Sequence, residues 1–177
     1  MKKTNLSDYD PNKVPNGKNL TVAVVAAEWN PEITDQLMQG AIDTLRQNGV
    51  KEENILTYRV PGTFELSSAA DMILQQLIEV DTVVCIGCVI QGDTRHFEFI
   101  CQAVSQGITN VSLKHHKPVI FSVLTCNTME QAFERAGGKH GNKGVEGAVT
   151  ALKMCAFNQE LSATAAENLQ KLKELLG

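Results

Sequence analysis

A three-layer α/β/α sandwich around a four-stranded parallel sheet is the fold this sequence predicts. Two observations carry it. Apolar, β-branched runs alternate with stretches of helical period, and nothing in the chain suggests a second core, a linker or an internal repeat. The 177 residues match one average domain, and an apolar fraction of 43% is ample for a core.

The elements follow in order. The run LTVAVVAA (20–27) is apolar and β-branched enough for a strand covered on both faces. In EWNPEIT, Asn30 is expected to cap a helix and Pro31 suits its first turn. Ile33, Leu37, Ala41, Ile42 and Leu45 then recur at helical spacing up to Gly49, which supplies the stop. NILTYRV (54–60) reads as a shorter, more exposed strand. PGTFELSSAADMILQQLIEV reads as a turn and a helix, and DTVVCIGCVI as a central strand. A helix over 97–114 leads to the strand PVIFSVLT (118–125). Asn127 followed by Glu130 predicts a capping box for TMEQAFERAG, which ends at two glycines. GGKHGNKG is expected as a loop, VEGAVTALKMCAF as a helix with an apolar face, and LSATAAENLQKLKELL as a second, more polar helix. Residues 1–19 are expected as an arm, mobile or lying on a neighbouring subunit, and 20–177 as one domain.

Open parallel sheets place their sites at the carboxyl ends of the strands. That rule marks AEWN, VPGTFE, GDTRH and TCNT, which are distant in sequence but share one rim of such a sheet.

Composition removes several function classes. The net charge is −4, and no basic block interleaved with aromatics suggests nucleic acid or an anionic membrane surface. No apolar run reaches the roughly 18 residues of a membrane span, and the basic tip of the chain has no apolar segment behind it, so a secretory signal is not expected. Five unevenly spaced cysteines read as reduced thiols of a cytoplasmic protein. Cys85 and Cys88 span C-x-x-C but lie inside a strand, where core residues are expected. The first strand–helix turn lacks the glycines of a dinucleotide site, and GGKHGNKG lacks the spacing and the preceding strand of a phosphate loop. No spacing resembles a zinc site, and His115 and His116 read as solvated residues near a helix end.

The strand ends offer both structural and chemical readings. Trp29 is either a core or interface aromatic or a platform for a planar heterocycle. Thr63, Phe64 and Glu65 belong to a turn with a charge at a helix start, or to exposed amides and a carboxylate suited to a polyhydroxyl chain. Gly92 permits close backbone approach or a positive φ. The amides of Asp93 and Thr94, with the Thr94 hydroxyl, suit an oxyanion at a helix start, although the charge of Asp93 opposes one. His96 follows as a candidate proton donor and acceptor. Arg135 is a surface charge near a helix end, or a ligand of a phosphate presented by the same subunit or a neighbour. Lys139, Lys143 and Glu146 lie close to it in sequence.

Taken together, WNPEIT, VPGTFE, GCVIQGDTRHFE, VIFSVLTCNTMEQAFERAG and KHGNKGVEGAVTALKM, in this order and on the predicted strand ends, resemble the lumazine synthases. The resemblance covers residues 20–157 and implies a flavodoxin-like fold. It implies condensation of 5-amino-6-ribitylaminouracil with 3,4-dihydroxy-2-butanone 4-phosphate, by imine formation, phosphate elimination and ring closure, with no cofactor and no metal. It places Trp29 on the pyrimidine ring with Asn30 beside it, Thr63, Phe64 and Glu65 along the ribityl chain, and the backbone of Val89 and Ile90 at the uracil edge. Gly92, Asp93, Thr94 and Arg135 take the phosphate, and His96 transfers protons. Phe121 enters from the next subunit, and Lys143 and Glu146 are charged positions near the site, Glu146 as a partner of His96. The family forms homo-oligomeric pentamers, some members pack twelve of them into a 60-subunit shell, and a riboflavin synthase is a possible partner.

The sequence departs from the family pattern at four places. Gln91 stands where arginine or lysine is frequent, and Thr63-Phe64 replaces alanine or serine with phenylalanine or tryptophan. Ser122 stands for glycine and Gly147 for alanine. Three other readings share the architecture. A flavodoxin-like flavin or lumazine binder would purify yellow, a riboflavin synthase variant would consume lumazine, and a non-catalytic shell protein would not need Trp29, Thr94, His96 and Arg135 all together.

Overall fold

Val22–Ala27 (β1) is buried at every position, as expected for a strand covered on both faces. The computed structural model describes residues 5–176. β1 is joined by Ile55–Val60 (β2), Thr82–Ile90 (β3) and Val119–Cys126 (β4) in an all-parallel sheet of order β2-β1-β3-β4. β2 is the exposed edge that its mixed sequence predicts.

The period-2 alternation sorts the core into two layers. Val22, Val24, Val84, Ile86, Ile120 and Leu124 pack under Pro31–Gln47 (α1), Met129–Glu134 (α4) and the first half of Lys143–Leu176 (α5). Ala23, Val25, Val83, Cys85, Val119 and Val123 pack under Leu66–Gln76 (α2) and His96–His115 (α3). Cys85 and Cys88 therefore point to opposite faces of β3, as three residues in a strand must, and cannot pair. Burial pushes both thiols up to about 12.

Several boundaries differ from the sequence reading. Asn30 occupies the cap position of α1 but in a left-handed conformation, and its side chain caps nothing in the helix. The cap of α4 is Thr128, not Asn127, and its hydroxyl accepts from the amide of Gln131. Gln131 reaches back to the amide of Asn127, so the box is shifted by one residue. GGKHGNKG is not an open loop. Ala136–Gly138 (β5) and Gly141–Asn142 (β6) form a small antiparallel ribbon, and Gly137 and Gly141 supply the positive φ values that it needs. The two expected final helices are one helix of 34 residues, because no breaker interrupts the run from 143 to 176. His115 is not simply solvated, since its Nε2 lies 2.6 Å from Asp71 Oδ1.

Residues 5–19, expected as an arm that is mobile or on a neighbour, lie against their own chain. Leu6 bonds to the carbonyl of His140, Gly17 to that of Asn48, and Val14 packs on the core.

Candidate active site

The carboxyl end of β3 is where the sheet opens. Val83 donates to Pro118 and Gln91 to Cys126, so odd residues of β3 direct their backbone groups to β4 and even ones to β1. The β1–β3 pairing runs only to Ala26–Ile86. Cys88 and Ile90 thus face past the end of β1. The Cys88 carbonyl is taken by two side chains from the flanking turns, Asn30 Nδ2 at 3.1 Å and the buried Thr63 Oγ1 at 3.5 Å. Ile90 carries its N–H and C=O side by side into the opening above. Of Val89 and Ile90, expected as a pair, only Ile90 turns its amide edge this way. That of Val89 runs in the ladder to β4.

Trp29 is 67% exposed, which removes the core reading. Its backbone is tied to Pro61, and its ring lies over Gly62, where a Cβ would come within 3.1 Å of the ring. Glu65 Oε2 lies equally close to the same spot. Phe64 is half exposed, in the helical turn Thr63–Glu65. An open aromatic face, a carboxylate and an amide edge therefore share one rim.

Residues 91–96 form an exposed loop that enters α3. Gly92 has no positive φ, and a Cβ there would meet nothing within 4 Å. Its glycine is not required by the turn itself. It leaves open space in the loop just ahead of a 20-residue helix. The Thr94 hydroxyl accepts weakly from the amide of His96 at 3.4 Å. The His96 imidazole is exposed at the first position of α3. Gln91 turns back to the Gly92 carbonyl at 2.7 Å.

Phe121, Arg135, Lys143 and Glu146 form a second cluster. Arg135 is the residue that ends α4. Its Nη2 pairs with Glu146 Oε1 at 2.8 Å, and Nη1 donates to the His140 carbonyl at 2.6 Å. Lys143 Nζ lies 3.1 Å from Glu146 Oε2. Burial pushes the Glu146 carboxyl up, but hydrogen bonds from Arg135 and Lys143 and their charges outweigh it and hold the group below its ordinary value. Glu146, expected as a partner of His96, is engaged by Arg135 and Lys143. Phe121, Lys143 and Glu146 line a groove of ≈ 420 Å³ between α5 and the outer edge of β4. Phe121 is level with Cys85, five residues before Ile90 on β3. At about 3.3 Å per residue it lies roughly 16 Å along the sheet from the Ile90 rim. The structure thus gathers Trp29, Asn30, Thr63, Phe64, Glu65, Ile90 and the 92–96 loop at one end of the sheet. It gathers Arg135, Lys143 and Glu146 at the start of α5, and leaves Phe121 apart from the rim of its own chain.

Two features escaped sequence reasoning. Ser122, a departure from the family's glycine, donates from its hydroxyl to the Lys143 carbonyl at 2.7 Å. The Cys88 carbonyl organises the rim, and no side-chain pattern announces it. Among the described residues no group of three His, Cys, Asp or Glu side chains is arranged to hold a metal ion, and no helix is long and apolar enough to cross a membrane.

Comparison with known proteins identifies the family. The sequence profile of the family described as 6,7-dimethyl-8-ribityllumazine synthase matches residues 19–159. A 6,7-dimethyl-8-ribityllumazine synthase of Porphyromonas gingivalis is 57% identical over 155 residues, covering 88% of this chain and 96% of that protein. One of Cytophaga hutchinsonii is 57% identical over 152 residues, covering 86% and 94%. One of Flavobacterium psychrophilum is 42% identical over 173 residues, covering 97% and 91%. A family match over residues 19–159 and relatives up to 57% identical along nearly their whole length establish that the chain belongs to the 6,7-dimethyl-8-ribityllumazine synthase family.

Proposed function

We infer that the strand-end rim holds 5-amino-6-ribitylaminouracil and 3,4-dihydroxy-2-butanone 4-phosphate together and joins them into 6,7-dimethyl-8-ribityllumazine, with release of phosphate and water. The observation that carries this reading is an exposed Trp29 ring at the same end of the sheet as the outward-facing amide edge of Ile90. A pyrimidinedione needs both, a face to stack on and a donor–acceptor pair for its edge.

In this reading Thr63, Phe64 and Glu65 receive the ribityl hydroxyls. The amides of the 92–94 loop and the Arg135 guanidinium hold the phosphate, which orients the ketone toward the 5-amino group. His96 moves the protons of imine formation and phosphate elimination. Positioning two reactive partners supplies most of the acceleration, and acid–base help from His96 adds about 10²- to 10⁴-fold. Lys143 and Glu146 set the charge around the phosphate subsite.

The distance of Phe121 from its own rim supports a pocket completed by a second copy of the chain, and a pentameric ring gives every rim such a neighbour. Residues 20–177 act as a single domain in this assembly.

The test is direct. The purified protein is mixed with both substrates and the lumazine is followed optically. Absence of product removes the reading. H96Q should lose a large part of the rate together with its pH dependence. Undiminished, pH-independent turnover removes the role of His96.

A further inference from the structure

We propose that the amino-terminal segment is a positioning element for Arg135, acting through the Ser7 hydroxyl and the Leu6 amide. The inference rests on the reading of Arg135 as a phosphate ligand and extends it to residues far away in sequence.

The guanidinium is held at two corners, by Glu146 Oε1 and by the His140 carbonyl. Each acceptor has a second partner from the same stretch of chain. The Ser7 hydroxyl donates to the same Glu146 Oε1 at 3.1 Å, and Leu6 N–H donates to the same His140 carbonyl at 3.2 Å. Ser7 is itself fixed. It accepts from the Asn142 amide at 2.6 Å and shares its one hydrogen between Glu146 and the Asn142 carbonyl at 2.9 Å. Asn5 and Ser7 pack so closely on Gly141 that a Cβ there would come within 2.2 Å of Asn5 Oδ1. The strap therefore clamps the turn between β5 and β6, which carries one of the two acceptors.

Two physical effects follow. A planar fork held by two fixed acceptors presents its remaining N–H edge in one orientation, which a phosphate requires. A hydroxyl donating to Glu146 Oε1 also takes up part of that oxygen's charge. Less of the carboxylate is then matched to Arg135, and more of the Arg135 charge remains for an anion. Removing the hydroxyl lets Glu146 neutralise Arg135 more fully and lets the β5–β6 turn drift.

The test is steady-state kinetics on the full chain, with each substrate varied at saturation of the other. S7A should raise the KM for the phosphorylated ketone about fivefold, the scale of a single hydrogen bond, and leave the KM for the pyrimidine unchanged. S7T keeps the hydroxyl and should restore the original value, which a generally loosened structure would not do. R135A, run beside them, should raise the same KM further. If R135A raises it while S7A changes neither constant, or both alike, the strap has no positioning role and the Arg135 reading stands. If R135A leaves it unchanged, the phosphate role of Arg135 falls, and this inference with it.

Discussion

Ser122 and Gly147 are two halves of one packing solution. Each departs from the family pattern, and the sequence offers no link between them. In the structure a Cβ on Gly147 would come within 2.7 Å of Ser122 Oγ. The serine fills the space that the missing methyl vacates, and its hydroxyl holds the carbonyl of Lys143 at the start of α5. G147A should therefore lower stability by about 1–3 kcal/mol, and the double variant S122G/G147A should recover most of it. Equal losses in the single and double variants, measured by thermal or denaturant unfolding, would dissolve the pair. Glu146 gives a second residue-level prediction. Its folded pKa lies below its ordinary value of 4.5, so its pairing stabilises the fold above that value and is lost as the pH falls through the lower, folded one. The difference in Tm between the wild-type chain and E146Q should be greatest near neutrality and shrink below about pH 4. A constant difference across that range would show that packing, not charge, is what Glu146 contributes.

At the scale of elements, α5 divides into two physical regimes. Its first half buries Ala148, Ala151, Leu152 and Cys155 against the core. From Phe157 to 175 every residue is exposed, including Leu161, Leu169, Leu172 and Leu175. Most helical stability in a protein comes from a packed face, which this half lacks. Amides beyond 160 should therefore exchange with solvent much faster than those of 148–156, in a measurement on the assembled protein. Strong protection at the distal end would mean that another surface covers it. The same scale explains which elements were legible. The strands and α1 follow from apolar period alone. The cap of α4 was misplaced because Asn127 and Thr128 are both good caps with a suitable residue three positions on, and only the geometry of the chain leaving β4 selects Thr128. The β5–β6 ribbon was missed because it has five residues, no apolar alternation and three glycines.

At the scale of the whole molecule, one chain carries the rim and, elsewhere on its surface, Phe121 beside the groove of Lys143 and Glu146. If neighbouring copies complete each other's pockets, two different defects should complement. Chains inactivated at Trp29 and chains inactivated at Phe121, co-expressed so that they assemble at random, should regain about a quarter of the wild-type activity, because a site then draws its two parts from different copies. No recovery above either variant alone would place each pocket within a single chain.

The sequence by itself determined the strand order along the chain, the buried and exposed faces, and which strand ends carry reactive groups. These depend on local period and on residue chemistry, and both are written position by position. Tertiary structure alone decided that Ile90 and not Val89 turns its amide edge to the opening. It also decided that Asn30 and Thr63 meet on one carbonyl, that Glu146 pairs with Arg135 and Lys143 within its own chain, and that Ser7 reaches both Asn142 and Glu146. Each of these depends on where separate segments meet in space, on the register between strands and on the point at which β1 ends. No local pattern encodes those distances.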